Sequence, residues 1–383
     1  MLARRKFLKR TGYTTLSTLL AMGFLEKDKQ KEGHSTNVAM ASINVNSPLR
    51  QLAAAKGKRY GSGGISASDL QANANYSALV AAQCEIITPN GELKWNATEP
   101  QPGVFTFKDA DYIANFCQRN NMKLHGHTLL CGQSLPSYIP TFPPTMQQLQ
   151  KHVTGVMGHY KNSPVLISWD ITNEIIAGNP NATSDQVYGL LPGLTPEYIL
   201  ELFKFAASVD STKLFYLNES SMEGVSWRAD RWLALIEYLK NKGAKIDGAG
   251  VESHLWFSTA YGFDATGFSS LLKRLNNVGV KPIISELDII IDFPLPSNIQ
   301  KLDQMIADNY KRYLDLCFAA DVDTVITWGM IDKYSWIVNS SYMPATFQAN
   351  ASAQKFLRPL PYDQNLQPKL ARNAIAQAFQ QAT

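Results

Sequence analysis

Cysteine is scarce in this chain, and its few cysteines lie too far apart to act together. Only four occur, at Cys84, Cys117, Cys131 and Cys317, and no two of them form a CxxC pair. A cysteine-based metal centre needs ligands at short spacings, and a disulfide scaffold needs a dense set of cysteines. The sequence therefore suggests neither a cysteine metal centre nor a disulfide scaffold.

Charge is also scarce. Charged residues make up 18% of the chain, against about 25% in an average protein, and the formal net charge is only +4. Five basic residues lie within residues 4–10. The basic residues of the remaining chain form no cluster that would mark a nucleic-acid groove. The 45% hydrophobic content instead predicts a folded core.

The common cofactor signatures are missing too. The chain has no glycine-rich dinucleotide fingerprint, no P-loop and no HExxH metal motif. Nucleotide and zinc chemistry are therefore disfavoured, and we expect neither a cofactor nor a metal ion.

The first 45 residues are typical of an export signal. RRKFLK at 4–9 precedes a moderately apolar stretch at 11–25, as in twin-arginine signals. That stretch is shorter than the roughly 20 residues that span a bilayer. The small residues at 39–41 offer a cleavage site. We expect a periplasmic or extracellular protein that touches the membrane only through this signal. The alternative is a basic cytosolic N-terminus followed by an amphipathic helix.

The remaining chain, 46–383, alternates between strand-like and helix-like segments. Helical periodicity occurs at 109–120, 145–160, 196–209, 230–242, 299–319 and 369–380. Strand-like runs occur at 59–63, 84–88, 123–130, 164–169, 213–217, 248–252, 282–285 and 324–328. Eight such units predict an α/β protein with one (β/α)₈ TIM-barrel catalytic domain. We expect a monomer.

Two glutamates close apolar runs of this pattern. Glu174 follows VLISWDITN, and Glu286 follows KPIIS. Active sites of (β/α)₈ barrels form at the carboxyl ends of the strands, so we expect the two carboxylates to face one cleft. Such a pair can act on a glycosidic bond as acid/base and nucleophile.

Seven short motifs, in order over roughly residues 60–380, resemble glycoside hydrolase family 10, the endo-β-1,4-xylanases. They are LKW at 93–95 with Glu99-Pro100, GHTL at 126–129, WDITNE at 169–174, DGAGVESH at 247–254, ISELD at 284–288, WGMIDKYSW at 328–336 and RPLPYD at 358–363. The resemblance implies a retaining endo-β-1,4-xylanase that hydrolyses xylan by double displacement. Glu286 would be the nucleophile and Glu174 the acid/base. His254 and Asp288 would orient Glu286.

The same resemblance implies a set of substrate-binding residues. They are Lys94, His127, Asn173, Glu252, His254, Trp328 and Trp336. The two tryptophans offer flat faces for sugar rings. His125 alternates with His127 along the strand, so we expect it to face the helices as a structural residue.

Three departures from the family pattern keep other functions open. CGQS at 131–134 replaces a tryptophan-containing segment, Asn90-Gly91 replaces Glu-Asn, and Glu252 stands where a glutamine is usual. One alternative is a retaining β-glycosidase with changed glycone specificity. The other is a non-catalytic sugar-binding barrel, which would normally have lost a catalytic glutamate.

Overall fold

The computed structural model describes residues 46–179, 181, 187–224, 226–258, 263–293, 295–338, 341–348 and 351–383. The predicted export signal at 1–45 lies outside these residues. No helix in the described ranges is both long enough and apolar enough to cross a bilayer.

Ten strands form one parallel sheet. They are β1 (Arg59–Ile65), β2 (Ile86–Pro89), β3 (Lys123–Gly126), β4 (Leu130–Cys131), β5 (Leu166–Asn173), β6 (Leu214–Glu219), β7 (Gly248–Val251), β8 (His254–Ser258), β9 (Lys281–Phe293) and β10 (Thr324–Trp328). Their order is β10-β1-β2-β3-β5-β6-β7-β9, and β10 also pairs with β9, which closes the ring. The predicted (β/α)₈ barrel is therefore confirmed. The short strands β4 and β8 pair with the outer ends of β5 and β9.

Twelve α-helices are described. They are α1 (Leu49–Ala54), α2 (Ala67–Ala72), α3 (Ala74–Gln83), α4 (Trp95–Thr98), α5 (Lys108–Arg119), α6 (Met146–Tyr160), α7 (Pro196–Val209), α8 (Ser226–Asn241), α9 (Ala265–Asn277), α10 (Ile299–Ala319), α11 (Ala345–Gln348) and α12 (Leu370–Gln381). Three short 3₁₀ segments occur at Gly132–Ser134, Asp332–Tyr334 and Ala351–Phe356.

Local sequence signals fix the ends of several helices. Thr145 and Gln148 form a capping box at the start of α6. Thr195 accepts a hydrogen bond from Tyr198 N–H, directly before the proline that opens α7. After α8 and α9, Gly243 and Gly279 adopt positive φ angles of 81° and 69°, which glycine tolerates best. Both glycines thereby end their helices.

Most of the core lies between the strands and the surrounding helices. Trp169 of β5, for example, is buried against Tyr160 of α6, with ring centroids 6.2 Å apart. A second, smaller apolar cluster includes Ile290, Ile337, Met343 and Phe347. It packs the outer half of β9 against the segment after β10, and it thereby supports Trp336.

Candidate active site

One predicted catalytic glutamate follows the last residue of β5, and the other lies within β9, two residues past the last pairing of β9 with β7. Asn173 is the last residue of β5 and pairs with Asn218 of β6, and Glu174 follows directly. Glu286 lies within β9, whose strand continues to Phe293. Glu286 is 5% exposed, whereas Glu174 is only half-buried. The two carboxyl groups therefore differ in environment, as distinct chemical roles require.

A single amide connects the two strands. The Nδ2 atom of Asn218 donates hydrogen bonds to Asn173 Oδ1 at 2.7 Å and to Glu286 Oε1 at 2.7 Å. Its Oδ1 atom accepts a hydrogen bond from Ser285 Oγ at 2.6 Å, which fixes the orientation of the amide. Asn218 thus holds Glu286 at a defined place relative to the residue that precedes Glu174.

A chain of three side chains supports the second oxygen of Glu286. His254 Nε2 lies 3.3 Å from Glu286 Oε2, and His254 Nδ1 lies 3.0 Å from Asp288 Oδ1. Trp336 Nε1 donates a hydrogen bond to Asp288 Oδ2 at 2.6 Å. The family resemblance implied that His254 and Asp288 orient Glu286 and that Trp336 binds sugar. The structure brings these residues into contact with one another.

Neighbouring charged side chains keep Glu286 ionised. Burial acts to raise the pKa of Glu286, but the hydrogen bond from His254 and the electrostatic influence of His127 outweigh it, so that its pKa is lowered. Burial acts to lower the pKa of His254, but Asp288 and Glu286 raise it to about 10. A carboxylate beside a charged imidazole is suited to nucleophilic attack.

Glu174 is held through its backbone and by one side-chain contact. Its φ is 52°, which is a left-handed conformation that few non-glycine residues adopt. Its N–H donates to Asn218 O at 3.1 Å, and Gln133 Nε2 donates to Glu174 Oε2 at 2.7 Å. Gln133 belongs to the segment that departs from the family pattern, and sequence reasoning did not assign it this contact.

A buried ion pair holds the backbone just after Glu174. Glu219 Oε2 accepts from Ile176 N–H at 2.9 Å, and Arg228 Nη2 donates to Ile176 O at 2.9 Å. The same Arg228 atom lies 2.8 Å from Glu219 Oε1. Sequence reasoning missed both residues. Glu219 is the last residue of β6, just as Glu174 directly follows β5. This position at a strand end was the sequence signal that could have identified Glu219.

His125 of β3 and His127, which follows β3, both contact the carboxylate of Asp170. His127 Nδ1 and His125 Nε2 lie 2.8 and 3.0 Å from the same Asp170 oxygen. The prediction that His125 faces the helices is therefore wrong. His127 directly follows β3, and residues two apart in an extended chain point to the same face, so His125 and His127 lie on one side. Burial acts to raise the pKa of Asp170, but the two imidazoles outweigh burial, so the pKa of Asp170 is lowered.

The remaining predicted binding residues surround this centre. The Trp328 ring lies 5.5 Å from the His127 ring, and the Trp336 ring lies 4.8 Å from the His254 ring. Lys94 lies close enough to influence Glu286 electrostatically. Glu252 is buried beside Glu286, with its Oε1 atom 3.4 Å from Asn218 Nδ2.

Glycine makes room for one of these aromatic rings. A Cβ atom added at Gly63 would lie 2.3 Å from the Trp328 ring, far inside van der Waals contact. The end of β1 therefore needs glycine so that the indole can lie across it.

Comparison with known proteins gives consistent matches. The model of glycosyl hydrolase family 10 matches residues 48–378. Endo-1,4-beta-xylanase A of Phanerodontia chrysosporium is 32% identical over 338 residues, which cover 86% of this chain and 77% of that protein. Endo-1,4-beta-xylanase of Agaricus bisporus is 28% identical over 340 residues, which cover 87% of this chain and 95% of that protein.

Solved structures give the same picture. Native xylanase 10B from Thermotoga maritima superposes with a TM-score of 0.73 at 25% identity, over 87% of this chain and 98% of that one. Xylanase 10B from Thermotoga petrophila RKU-1 in complex with xylobiose gives a TM-score of 0.73 at 26% identity, over 91% and 98%.

Proposed function

Because the chain belongs to glycosyl hydrolase family 10, we infer that it is a retaining endo-1,4-beta-xylanase that cleaves internal bonds of xylan. The observation that carries this inference is the pair of unlike carboxyl groups at one end of the barrel. Glu286 is buried and ionised, and Glu174 is more exposed. The sequence predicted this function, and the xylanases among its relatives favour it over the two alternatives.

The proposed reaction has two steps. In the first, Glu286 attacks the anomeric carbon and forms a glycosyl ester, while Glu174 gives its proton to the departing glycosidic oxygen. In the second, the Glu174 carboxylate takes a proton from water, the water oxygen attacks the anomeric carbon, and Glu286 leaves as a carboxylate. Two inversions at one carbon retain its configuration.

Neighbouring side chains fit supporting roles in this scheme. Asn173, which Asn218 orients, would bind a sugar hydroxyl beside Glu286. Trp328 and Trp336 offer ring faces to the sugars, and Lys94 and His127 offer polar groups for the glycone hydroxyls. The altered segment at 131–134 joins the site through Gln133 and through Cys131 Sγ, which accepts from Asn173 Nδ2 at 3.7 Å.

The function is tested with Glu286→Ala. The wild-type protein should release xylo-oligosaccharides from xylan, and NMR should show that the first product is the β-anomer. The variant should lose turnover of aryl β-xylosides, and added azide should yield an α-xylosyl azide. A wild-type protein that is inactive on xylan while it cleaves mannan or glucan, or whose first product is the α-anomer, contradicts the proposal.

We also propose that residues 1–45 direct export through a twin-arginine pathway to the periplasm or beyond. The sequence RRKFLK at 4–9 and the apolar stretch after it support this. Replacing Arg4 and Arg5 with lysine should leave the protein in the cytoplasm, as measured by fractionation. Replacing Lys6 and Lys9 with arginine, which keeps the pair, is the control and should not block export.

A further inference from the structure

We propose that Glu252 carries a proton in the active enzyme and serves as a neutral positioning residue beside Glu286, so that loss of this proton ends activity at alkaline pH. The proposal rests on the glycosidase function inferred above. It concerns one carboxyl group that the double displacement itself does not use.

Glu252 lies among acidic side chains. It follows β7 directly and is 3% exposed. Glu286, Glu174, Glu219 and Cys131 all act on it from strands β9, β5, β6 and β4 or the residues next to them, and His254 faces it from β8. One ligand atom from each of Glu252, His254 and Glu286 lies within 4.8 Å of the others.

Hydrogen-bond donors near Glu252 are already taken. Among the described residues, its carboxyl group receives one hydrogen bond, from Asn218 Nδ2 at 3.4 Å. That nitrogen has two hydrogens, and its 2.7 Å bonds to Asn173 and Glu286 use both. An ionised Glu252 would therefore be a buried charge without a donor of its own, which is costly.

The other buried carboxyl groups of this site have closer partners. Glu286 has Asn218 and His254, and Glu219 has Arg228 and two backbone N–H groups. Burial still outweighs these partners at Glu219 and raises its pKa to about 7, so Glu219 is the rival group for an alkaline limit. Glu252 has no comparable partner in the part of the chain that the structure describes. A proton on its carboxyl group removes the charge and adds an O–H donor.

The electrostatics of the pair agree with this geometry. Burial, and next the charge of Glu286, raise the pKa of Glu252 well above its ordinary value, whereas the pKa of Glu286 is lowered. When two carboxyl groups share a site, one keeps its proton. At high pH, a second anion here would compete with Glu286 for Asn218 and His254 and would disturb the nucleophile.

The test compares kcat/KM across pH for 2,4-dinitrophenyl β-xylobioside. This leaving group needs no protonation, so the ionisation of Glu174 does not enter kcat/KM. The kcat/KM of the wild type should fall at alkaline pH, by about tenfold per pH unit above the pH at which Glu252 loses its proton. In Glu252→Gln the fall should disappear or move upward by at least about one pH unit.

Glu219→Gln is the matched control, because it removes another buried carboxyl group of the same site. It should keep the wild-type alkaline fall once each curve is scaled to its own maximum. The proposal is overturned if the alkaline fall of kcat/KM in Glu252→Gln is the same as in the wild type. It is also overturned if that fall moves to another pH in Glu219→Gln alone. Circular dichroism at each pH checks folding, and Glu252→Ala replaces the glutamine variant if that variant does not fold.

Infrared spectroscopy tests the proton without enzyme activity. Because Glu174 and Glu219 can also be protonated, the wild-type and Glu252→Gln spectra are compared. One protonated-carboxyl carbonyl band should be present in the wild type alone, and it should vanish over the pH range where kcat/KM falls. A wild type that shows no such band overturns the proposal. So does stoichiometric zinc that survives dialysis in the wild type alone, because a cation would then offset the charge. Inactivity on the xylobioside at every pH would refute the xylanase function and leave the infrared result to decide this inference.

Discussion

Arg228 Nη2 lies 2.8 Å from Glu219 Oε1, and both side chains are almost fully buried. Each of them also bonds the backbone of Ile176, one at its N–H and the other at its carbonyl. The pair therefore fixes the chain two residues after Glu174, whose own φ is positive. This arrangement connects the stability of the barrel to the position of the proposed acid/base.

Arg228→Met should destabilise the protein strongly. The substitution leaves Glu219 buried without its cation, which costs about 3–5 kcal/mol in the free energy of unfolding. Glu219→Gln combined with Arg228→Met should recover part of the loss. Denaturant unfolding measures it. Arg274→Met, which breaks the exposed pair with Asp230, is the control and should cost about 1 kcal/mol or less. Equal losses in the two arginine variants would contradict this account.

Glu174→Ala should separate substrates by their leaving groups. Cleavage of xylan and of unactivated xylosides should slow by about 10²–10⁴-fold, because these leaving groups need a proton. The formation of the glycosyl enzyme from dinitrophenyl substrates should be little affected. Stopped-flow measurement of the dinitrophenolate burst tests this directly. Loss of the burst together with xylan hydrolysis would rule out an acid/base role for Glu174.

His254→Asn should move the acidic limit of activity to higher pH. Glu286 acts as a nucleophile only when ionised, and burial, which raises its pKa, is outweighed by groups of which His254 is the foremost. Without the imidazole the pKa of Glu286 rises, so activity is lost on acidification at a pH about one unit higher. The measurement is kcat/KM against pH. The control is His159→Asn, at an exposed histidine that pairs with Asp111, and a shift of the same size there would refute the assignment.

Gly63→Ala should disturb substrate binding through Trp328. The new Cβ atom would lie 2.3 Å from the indole, so the ring must move, and overpacking of this kind costs about 1–3 kcal/mol. We expect a higher KM for xylo-oligosaccharides and altered tryptophan fluorescence. Gly158→Ala in α6 is the control, since a Cβ atom there meets nothing within 4 Å and should leave both quantities unchanged. A normal KM in Gly63→Ala would show that Trp328 does not bind the sugar.

The strands show how far a sequence pattern reaches. All eight barrel strands lie where apolar runs predict them, because these strands are buried along nearly their whole length and a continuous apolar run is a property of the local sequence. The run at 123–130, however, is broken after Gly126 and resumes only as β4. Strand β9 continues to Phe293 because β8 pairs with its outer half. Such a contact comes from a distant part of the chain and leaves no mark on the local pattern.

The linear order of residues was enough to predict a barrel with Glu174 and Glu286 on two of its strand segments, since apolar runs and motif order are properties of the chain itself. Only the folded molecule decided which acidic groups receive partners. Asn218 bonds Glu286 closely and Glu252 at a longer distance, and Glu219 is matched by Arg228. These allocations depend on which side chains meet across neighbouring strands, and the linear order of residues does not record those contacts.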